Sequence, residues 1–232
     1  MHRTTLEKVN TAQQHKNPVV LLSNLQSGEQ ALYYPDGTTH GFVLSDTLYA
    51  LANKALRSNR CQLFKEADYE IFLQAFNPPL RMIIIGAVHI AKTLASLARL
   101  CHYQVTIVDP RQAFADEARF PDVDVNSDWP DKALASLQPD SRTAIITLTH
   151  DPKLDEPALI SALASTAFYI GALGSNKTQQ ARKNRLAENG CSAEQQARIH
   201  GPIGLDIGAQ SPAEIAVAIM AQVTESLHKT LD

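Results

Sequence analysis

Side chains that bind ligands or transfer protons occur directly after several apolar, strand-like segments of the chain. In a parallel sheet the carboxyl ends of the strands share one edge, and ligands bind outside that edge. We therefore predict one ligand-binding edge that combines imidazoles, carboxylates, cations and a glycine-rich turn. The predicted site residues are Gly86, His89, Asp109, Arg111, His150, Asp151, Gly171, Gly174, Ser175 and Lys177.

The first turn of this edge is an altered dinucleotide-binding fingerprint. Gly86 and Ala91 match the outer positions of G-x-G-x-x-G/A, but Val88 stands where a middle glycine lets the backbone approach a pyrophosphate. Asp109 lies 23 residues after Gly86 and can accept a hydrogen bond from a ribose 2′-hydroxyl, which favours NAD over NADP. Two interpretations stay open: an NAD site that Val88 disfavours, and a Rossmann scaffold that binds no nucleotide.

His89 and His150 follow strands that are neighbours in a doubly wound order. A pair of imidazoles at one edge can transfer protons, bind an oxyanion or bind a metal. The histidines show no H-x-x-x-H or comparable ligand spacing, so we predict no metal site. The alternative is a pair of loop histidines that form hydrogen bonds only within the protein.

Residues 171–178, Gly-Ala-Leu-Gly-Ser-Asn-Lys-Thr, join a strand to the N-terminus of a helix. Free N–H groups and the helix dipole favour an anion there, although the pattern is not that of a P-loop. The simpler interpretation is an ordinary turn capped by Ser175. Arg182 and Arg185 follow on the same helix and can be explained as solvated charges. The chain contains no G-x-S-x-G motif, and we assign no catalytic residue.

Two parts of the chain differ in their pattern. Residues 80–232 alternate strands with helices, which predicts an α/β domain with a Rossmann-like, doubly wound parallel sheet. Residues 1–79 lack that alternation and contain a hairpin signal at Pro-Asp-Gly 35–37, which predicts a small α+β domain. The predicted strands of the second domain are residues 81–85, 104–109, 122–125, 143–148 and 167–171, and its predicted helices are residues 90–101, 156–165, 178–189 and 212–229.

The composition is that of a globular protein and excludes several classes. The 232 residues carry a net charge of −3, with 44% hydrophobic and 19% charged residues. This balance predicts no nucleic-acid partner, and no apolar run is long enough to predict a membrane span. The three cysteines are isolated in the sequence, which argues against a disulfide framework and a cysteine zinc site. The N-terminus lacks a signal-peptide pattern, so we expect a cytoplasmic protein.

The second domain resembles the XdhC/CoxI family of accessory proteins for xanthine dehydrogenase and related molybdenum hydroxylases. The resemblance rests on an ordered series of short segments and spans about residues 81–222. The N-terminal domain resembles the family less, because residues 41–46 replace a glycine-rich run and Cys61 lacks the glycines of a C-G-G segment. The matching segments are residues 85–91, 108–111, 119–121, 148–151, 169–175, 182–186, 200–208 and 212–215.

The resemblance implies a function in cofactor delivery. Members of the family are expected to bind the molybdenum cofactor (molybdopterin), to protect it during sulfuration and to insert it into a client enzyme. It therefore implies a non-enzymatic maturation factor whose partners are a xanthine dehydrogenase or related molybdenum hydroxylase and a cysteine desulfurase. The alternatives are an NAD-dependent oxidoreductase and a degenerate Rossmann scaffold or dimerisation protein. A homodimer that pairs through the hairpin at residues 31–44 is also expected.

Overall fold

The computed structural model describes residues 2–66, 69–111 and 119–229. These residues form two compact units, one that ends at Pro78 and one that begins at Pro79. The first has an antiparallel sheet and the second a parallel sheet. The predicted fold class, a Rossmann-like α/β domain preceded by a small α+β domain, is therefore confirmed.

The first unit is a five-stranded antiparallel sheet with one helix on each face. Its elements are α1 Arg3–Gln14, β1 Val19–Asn24, β2 Gln30–Tyr33, β3 Thr39–Gly41, α2 Asp46–Ser58, β4 Gln62–Glu66 and β5 Tyr69–Phe76. Alternate side chains of a strand point to opposite faces. Val19 and Leu21 of β1 therefore pack with α1, while Val20 and Leu22 pack with α2. The strand order is β3-β2-β1-β5-β4.

The predicted hairpin is present in this sheet. β2 pairs antiparallel with β3, and Gly37 in the turn has a φ of +86°. Gly41 ends β3 and lies against the neighbouring strand so closely that an added Cβ would be 2.1 Å from the carbonyl oxygen of Gln30. Only glycine fits there, and β3 is an edge strand of the sheet.

The second unit is a six-stranded parallel sheet with helices on both faces. Its elements are β6 Arg81–Ile85, α3 His89–Leu100, β7 Gln104–Val108, β8 Asp124–Asn126, α4 Pro130–Leu137, β9 Thr143–Thr147, α5 Pro152–Ala164, β10 Tyr169–Ala172, α6 Asn176–Glu188, α7 Ala193–Ala197, β11 Ile199–His200 and α8 Pro212–Lys229. The strand order is β11-β10-β9-β6-β7-β8, and each described pair is parallel. This is the strand order of dinucleotide-binding Rossmann domains.

The central strands are apolar on both sides because helices cover both faces of the sheet. Ile84 and Ile146 belong to the core cluster that contains residues of α3 and α8. Ile83, Ile85 and Ile145 belong to the opposite cluster, with residues of α4 and α5. The helix after β6 and the helix after β9 therefore lie on opposite faces of the sheet.

Among the described helices, α4, α5 and the five-residue α7 differ most from the sequence-based expectation. α5 begins at Pro152 rather than at residue 156, because Asp151 accepts a hydrogen bond from the backbone N–H of Lys153 and proline suits the first helical position. α4, which has Pro130 as its first residue, was not predicted; with eight residues it is too short for a clear helical period. None of the described helices is long and apolar enough to cross a membrane.

Two buried tyrosines of the second unit differ in what their hydroxyls contact. The hydroxyl of Tyr169 donates to Oε1 of Gln222 over 2.6 Å, and the same oxygen accepts from the backbone N–H of Gly204. This contact fastens the loop after β11 to α8. The buried hydroxyl of Tyr103 has no hydrogen-bond partner among the described residues, and burial raises its pKa to about 12.

We predict that Tyr169→Phe lowers the free energy of unfolding by about 1 kcal/mol, because it removes a satisfied buried hydrogen bond. Tyr103→Phe removes a hydroxyl that forms no such bond, so its stability should equal or exceed that of the wild type. Urea denaturation of both variants tests the pair. Equal losses in the two variants would contradict the assigned contacts.

Candidate functional site

The carboxyl edge of the parallel sheet has a switch point between β6 and β9. These strands are hydrogen-bonded neighbours, and their following helices lie on opposite faces. In open α/β sheets such a point leaves a crevice outside the strand ends, where ligands bind. His89 and His150 follow these two strands, as the predicted strand order requires, and both side chains are exposed.

Gly86, the first residue after β6, touches the loop after β9. Its φ is +107°, and an added Cβ would lie 2.6 Å from Cγ2 of Thr149. Its N–H donates to the carbonyl oxygen of Val108 on the neighbouring strand. The glycine predicted to let a ligand approach is therefore also required for the close contact of two protein turns.

Val88 is the N-cap residue of α3, with an extended backbone. No side chain among the described residues caps this helix end. In contrast, Asp151 caps α5 and Ser175 caps α6. An uncapped helix N-terminus presents free N–H groups and a positive dipole end to an anion. Of these three helices at the edge, α3 is thus the most open to an anionic group.

Asp109, at the end of β7, is engaged entirely within the protein. Its side chain is 0% exposed, and its carboxylate accepts from the backbone N–H of Ala87 at 2.8 Å and from that of Arg111 at 3.0 Å. The guanidinium of Arg111 adds two hydrogen bonds of 2.9 and 2.8 Å. The predicted contact of Asp109 with a ribose hydroxyl therefore has to be revised, because a buried carboxylate with four donors does not reach a ligand.

Arg111 pairs with the buried Asp109 and is itself partly exposed. Its side chain is 35% exposed and is held by a bidentate pair with the buried carboxylate. Burial alone would raise the pKa of Asp109, but the hydrogen bonds from Arg111 and Ala87 outweigh it and lower that pKa. The ion pair thus fixes a guanidinium beside the turn that precedes α3.

The loop after β9 is fixed by Thr149. The Thr149 hydroxyl donates to Oδ1 of Asp155 over 2.7 Å and accepts from the backbone N–H of Asp151 over 3.0 Å. His150 lies between these anchored residues with a φ of +60°. This left-handed conformation is uncommon for a residue with a side chain and persists only where its neighbours hold it. Asp151 itself is half-buried and caps α5.

Of the predicted site residues in and after β10, some pack inside the protein and others are exposed. Gly171 lies inside β10, where an added Cβ would be 2.5 Å from Cδ1 of Ile203, so its close approach is to the protein. Gly174 has a φ of +143°, and Ser175 accepts from the N–H of Thr178, the predicted turn and cap. Lys177 is exposed in the first turn of α6. The predicted role of Gly171 as a ligand approach is thus replaced by packing against Ile203.

Buried polar residues below the edge were not predicted. Arg182 is 4% exposed, so its interpretation as a solvated charge is wrong. Its Nη1 donates to Oε1 of Gln179 at 2.6 Å, its Nη2 donates to the carbonyl oxygen of Leu173 at 3.0 Å, and Nη2 lies 3.6 Å from Oδ2 of Asp155. The amide of Gln179 in turn donates to the carbonyl oxygen of Ala172. We call Thr149, Asp155, Arg182 and Gln179 the buried network.

One signal in the sequence could have revealed this network. Asp155 stands next to Leu154 and is followed after three and four residues by Ala158 and Leu159, all of them buried. An acid on the apolar face of a helix is rarely buried without a partner. Burial raises the pKa of Asp155, and the hydrogen bonds from Thr149 offset this only in part.

The exposed side of the edge carries donors and cations, while two acids close to it are buried. His89, His150 and Lys177 are exposed and Arg111 is half-buried, whereas Asp109 and Asp155 are buried. No group of three metal-ligating side chains was found in the described ranges. The fold defines a Rossmann-type domain, and the side chains exposed at the carboxyl edge of its sheet include hydrogen-bond donors and cations.

Comparison with known proteins identifies the family. A family model described as the XdhC Rossmann domain matches residues 82–223, more than half of the chain. The chain therefore belongs to the XdhC family, as its short motifs indicate. The crystal structure of a xanthine dehydrogenase from Bacillus halodurans superposes with a TM-score of 0.72 at 25% identity, covering 98% of this chain and 67% of that one.

Two curated relatives give the family its biochemical context. The molybdenum cofactor insertion chaperone PaoD of Escherichia coli is 33% identical over 162 residues, which are 69% of this chain and 45% of PaoD. A probable xanthine dehydrogenase subunit from Bacillus subtilis is 28% identical over 158 residues, or 67% of this chain and 46% of the relative. The chain thus spans less than half the length of these relatives.

We predict that Gly86→Ala lowers the free energy of unfolding by about 2–4 kcal/mol, since a Cβ would be strained at positive φ and would overlap Thr149. Gly190→Ala is the matched control, because Gly190 has a φ of +83° with no atom near its added Cβ. Its loss should be about 1 kcal/mol, from backbone strain alone. Urea denaturation measures both, and equal losses would show that the Thr149 contact has no steric effect.

The two buried carboxylates should affect stability in opposite directions with pH. The pKa of Asp155 is raised on folding, so its protonated form is favoured and its contribution to stability falls as pH rises through the raised pKa. The pKa of Asp109 is lowered, so its contribution is present above pH 4 and is lost on acidification. Asp155→Asn should remove the first trend and Asp109→Asn the second, each by about 1.4 kcal/mol per pKa unit.

Unfolding free energies of the wild type and both variants between pH 3 and pH 7, a range around the ordinary carboxyl pKa, measure these trends. The difference between the wild type and Asp155→Asn should favour the wild type most at low pH. The difference for Asp109→Asn should favour it most near neutral pH. Parallel trends in the two variants would contradict the assigned environments.

Proposed function

We propose that this chain binds the molybdenum cofactor at the switch-point crevice and delivers it to a molybdenum hydroxylase such as xanthine dehydrogenase. Membership of the XdhC family and the similarity to a cofactor insertion chaperone support this function. The structural observation that carries it is the uncapped N-terminus of α3 at the switch point, beside the half-buried guanidinium of Arg111.

The chemistry of the cofactor fits these groups. Molybdopterin carries a phosphate, and a helix N-terminus together with an arginine is a common phosphate site. His89 and Lys177 at the same edge offer further donors to an anion. The cofactor is cargo in this proposal, so the residues of the chain bind and shield it without a covalent step of their own.

The NAD-dependent alternative is less well supported. Val88 places a branched side chain where a dinucleotide site has glycine. Asp109, which would contact the ribose, is buried and already accepts four hydrogen bonds. A bound NAD molecule would need space at position 88 and a free carboxylate at position 109, and neither is present.

Several finer features belong to the proposal. Sulfuration of the bound cofactor with a cysteine desulfurase as partner, a cytoplasmic location and a homodimer remain predictions. The edge position of β3 in the first sheet is compatible with self-association through the hairpin, because an edge strand has unpaired backbone groups. A scaffold that contacts the client without cofactor is the remaining alternative.

Binding of isolated molybdopterin cofactor to the purified protein under anaerobic conditions tests the function. We expect His89→Ala and Lys177→Ala each to weaken binding about tenfold, the effect of losing one hydrogen bond to a charged group. Lys183→Ala is the matched control: it is an exposed lysine of the same helix, about 9 Å further along its axis. It should bind as the wild type does.

The absence of binding to the wild type would overturn the proposed function. A wild type that binds no cofactor but captures xanthine dehydrogenase in a pull-down would support the scaffold. Cofactor binding that responds equally to Lys177→Ala and Lys183→Ala would place the site elsewhere. Recovery of NAD from the purified protein would favour the oxidoreductase.

A further inference from the structure

Asp155 is a buried acidic side chain for which neither packing nor helix capping gives a reason. Its side chain is 2% exposed, and Oδ2 has no hydrogen-bond partner within the described ranges. Arg182, which forms an ion pair with it, is also buried, but its Nη2 lies 3.6 Å from Oδ2 and donates to a carbonyl oxygen instead. Burying such a pair costs desolvation that apolar side chains of similar size would avoid.

Helix capping does not account for Asp155 either. Asp151 already caps α5 by accepting from the backbone N–H of Lys153, and Pro152 has no N–H to satisfy. The hydrogen bonds of Asp155 go to the loop before the helix: Oδ1 accepts from the hydroxyl of Thr149 at 2.7 Å and from its backbone N–H at 3.3 Å. Asp155 therefore holds the loop after β9.

Besides its bonds to Asp155, Thr149 contacts two further parts of the edge. Its methyl group lies against Gly86 of the opposite turn, and its hydroxyl also accepts from the backbone N–H of Asp151. The residue between these two anchors is His150, which is exposed and has a φ of +60°. With both neighbours fixed, the left-handed conformation determines the direction in which the imidazole leaves the backbone.

We propose that Asp155 and Thr149 are positioning residues of the crevice, which fix His150 for contact with the bound cofactor. The inference rests on the proposed function of this crevice and adds a role for two residues that do not themselves touch the ligand. Arg182 lies beside the buried carboxyl group, with its Nη2 3.6 Å from Oδ2. His150 makes its contribution to binding only while its loop is held.

Two conservative variants of Thr149 separate positioning from simple packing. Thr149→Ser keeps the hydroxyl and loses the methyl group against Gly86, while Thr149→Val keeps the methyl and loses the hydroxyl. We expect Thr149→Val to bind isolated molybdopterin cofactor about tenfold more weakly, because the two hydrogen bonds of the Thr149 hydroxyl, to Asp155 and from the N–H of Asp151, are lost. Thr149→Ser should stay within about twofold of the wild type, since the same bonds remain.

A double-mutant cycle with His150→Ala tests the route of the effect. His150→Ala should weaken binding about tenfold. The double variant His150→Ala with Thr149→Val should be no weaker than either single variant, because the loop then has no imidazole to position. Asp155→Ala should weaken binding as Thr149→Val does, and the Thr149 pair keeps the test decisive if Asp155→Ala does not fold.

The outcomes are distinct. No binding by the wild type refutes the proposed function. Binding by the wild type with equal losses in Thr149→Ser and Thr149→Val, or with losses that multiply to about a hundredfold in the double variant, overturns the positioning role. A Thr149→Val protein that is less stable but binds normally also overturns it, because the contact would then be structural only.

Discussion

The switch point depends on how backbone N–H groups are satisfied where two neighbouring strands end. Beyond β6 and β9 the chain leaves the sheet in opposite directions, and the second N–H group after each strand, that of Ala87 or Thr149, donates to a side chain rather than to a strand. Two buried carboxylates are the acceptors: Asp109 accepts from Ala87, and Asp155 accepts from Thr149. Each carboxylate has a nearby arginine, Arg111 or Arg182. The two turns at the switch point thus rest on two buried acids, Asp109 and Asp155, each with an arginine beside it.

Most of the fold follows from patterns that the sequence displays directly. Apolar runs such as Ile83–Ile85 are buried on both faces, and their alternation with helices predicts a parallel sheet. The hairpin at Gly37 and the capped starts of α6 and α8 come from local turn and cap chemistry. The short helix α4 and the two-residue strand β11 are held by their neighbours and leave too little periodicity to be predicted.

The positions of the candidate residues along the sheet edge follow from the sequence more closely than their contacts do. Strand order brings His89 and His150 to neighbouring turns, as expected from the sequence. Spacing cannot tell whether an acid at a strand end faces a ligand or the protein, and Asp109 faces the protein. Arg182 has the sequence context of a surface helix, and only the packing of α5 against α6 places it beside Asp155. Burial depends on tertiary packing, and a sequence pattern predicts it poorly for charged residues.

The inward turn of Asp109 limits how this domain can change its ligand. Replacing Val88 with glycine would open room for a pyrophosphate, yet the carboxylate that reads a ribose in dinucleotide-binding relatives of the fold would still be occupied. An evolutionary route to nucleotide binding would first need another acceptor for Ala87 and another counter-charge for Arg111. Positions 88 and 109 are therefore coupled, and a single substitution of Val88 would not by itself produce a dinucleotide site.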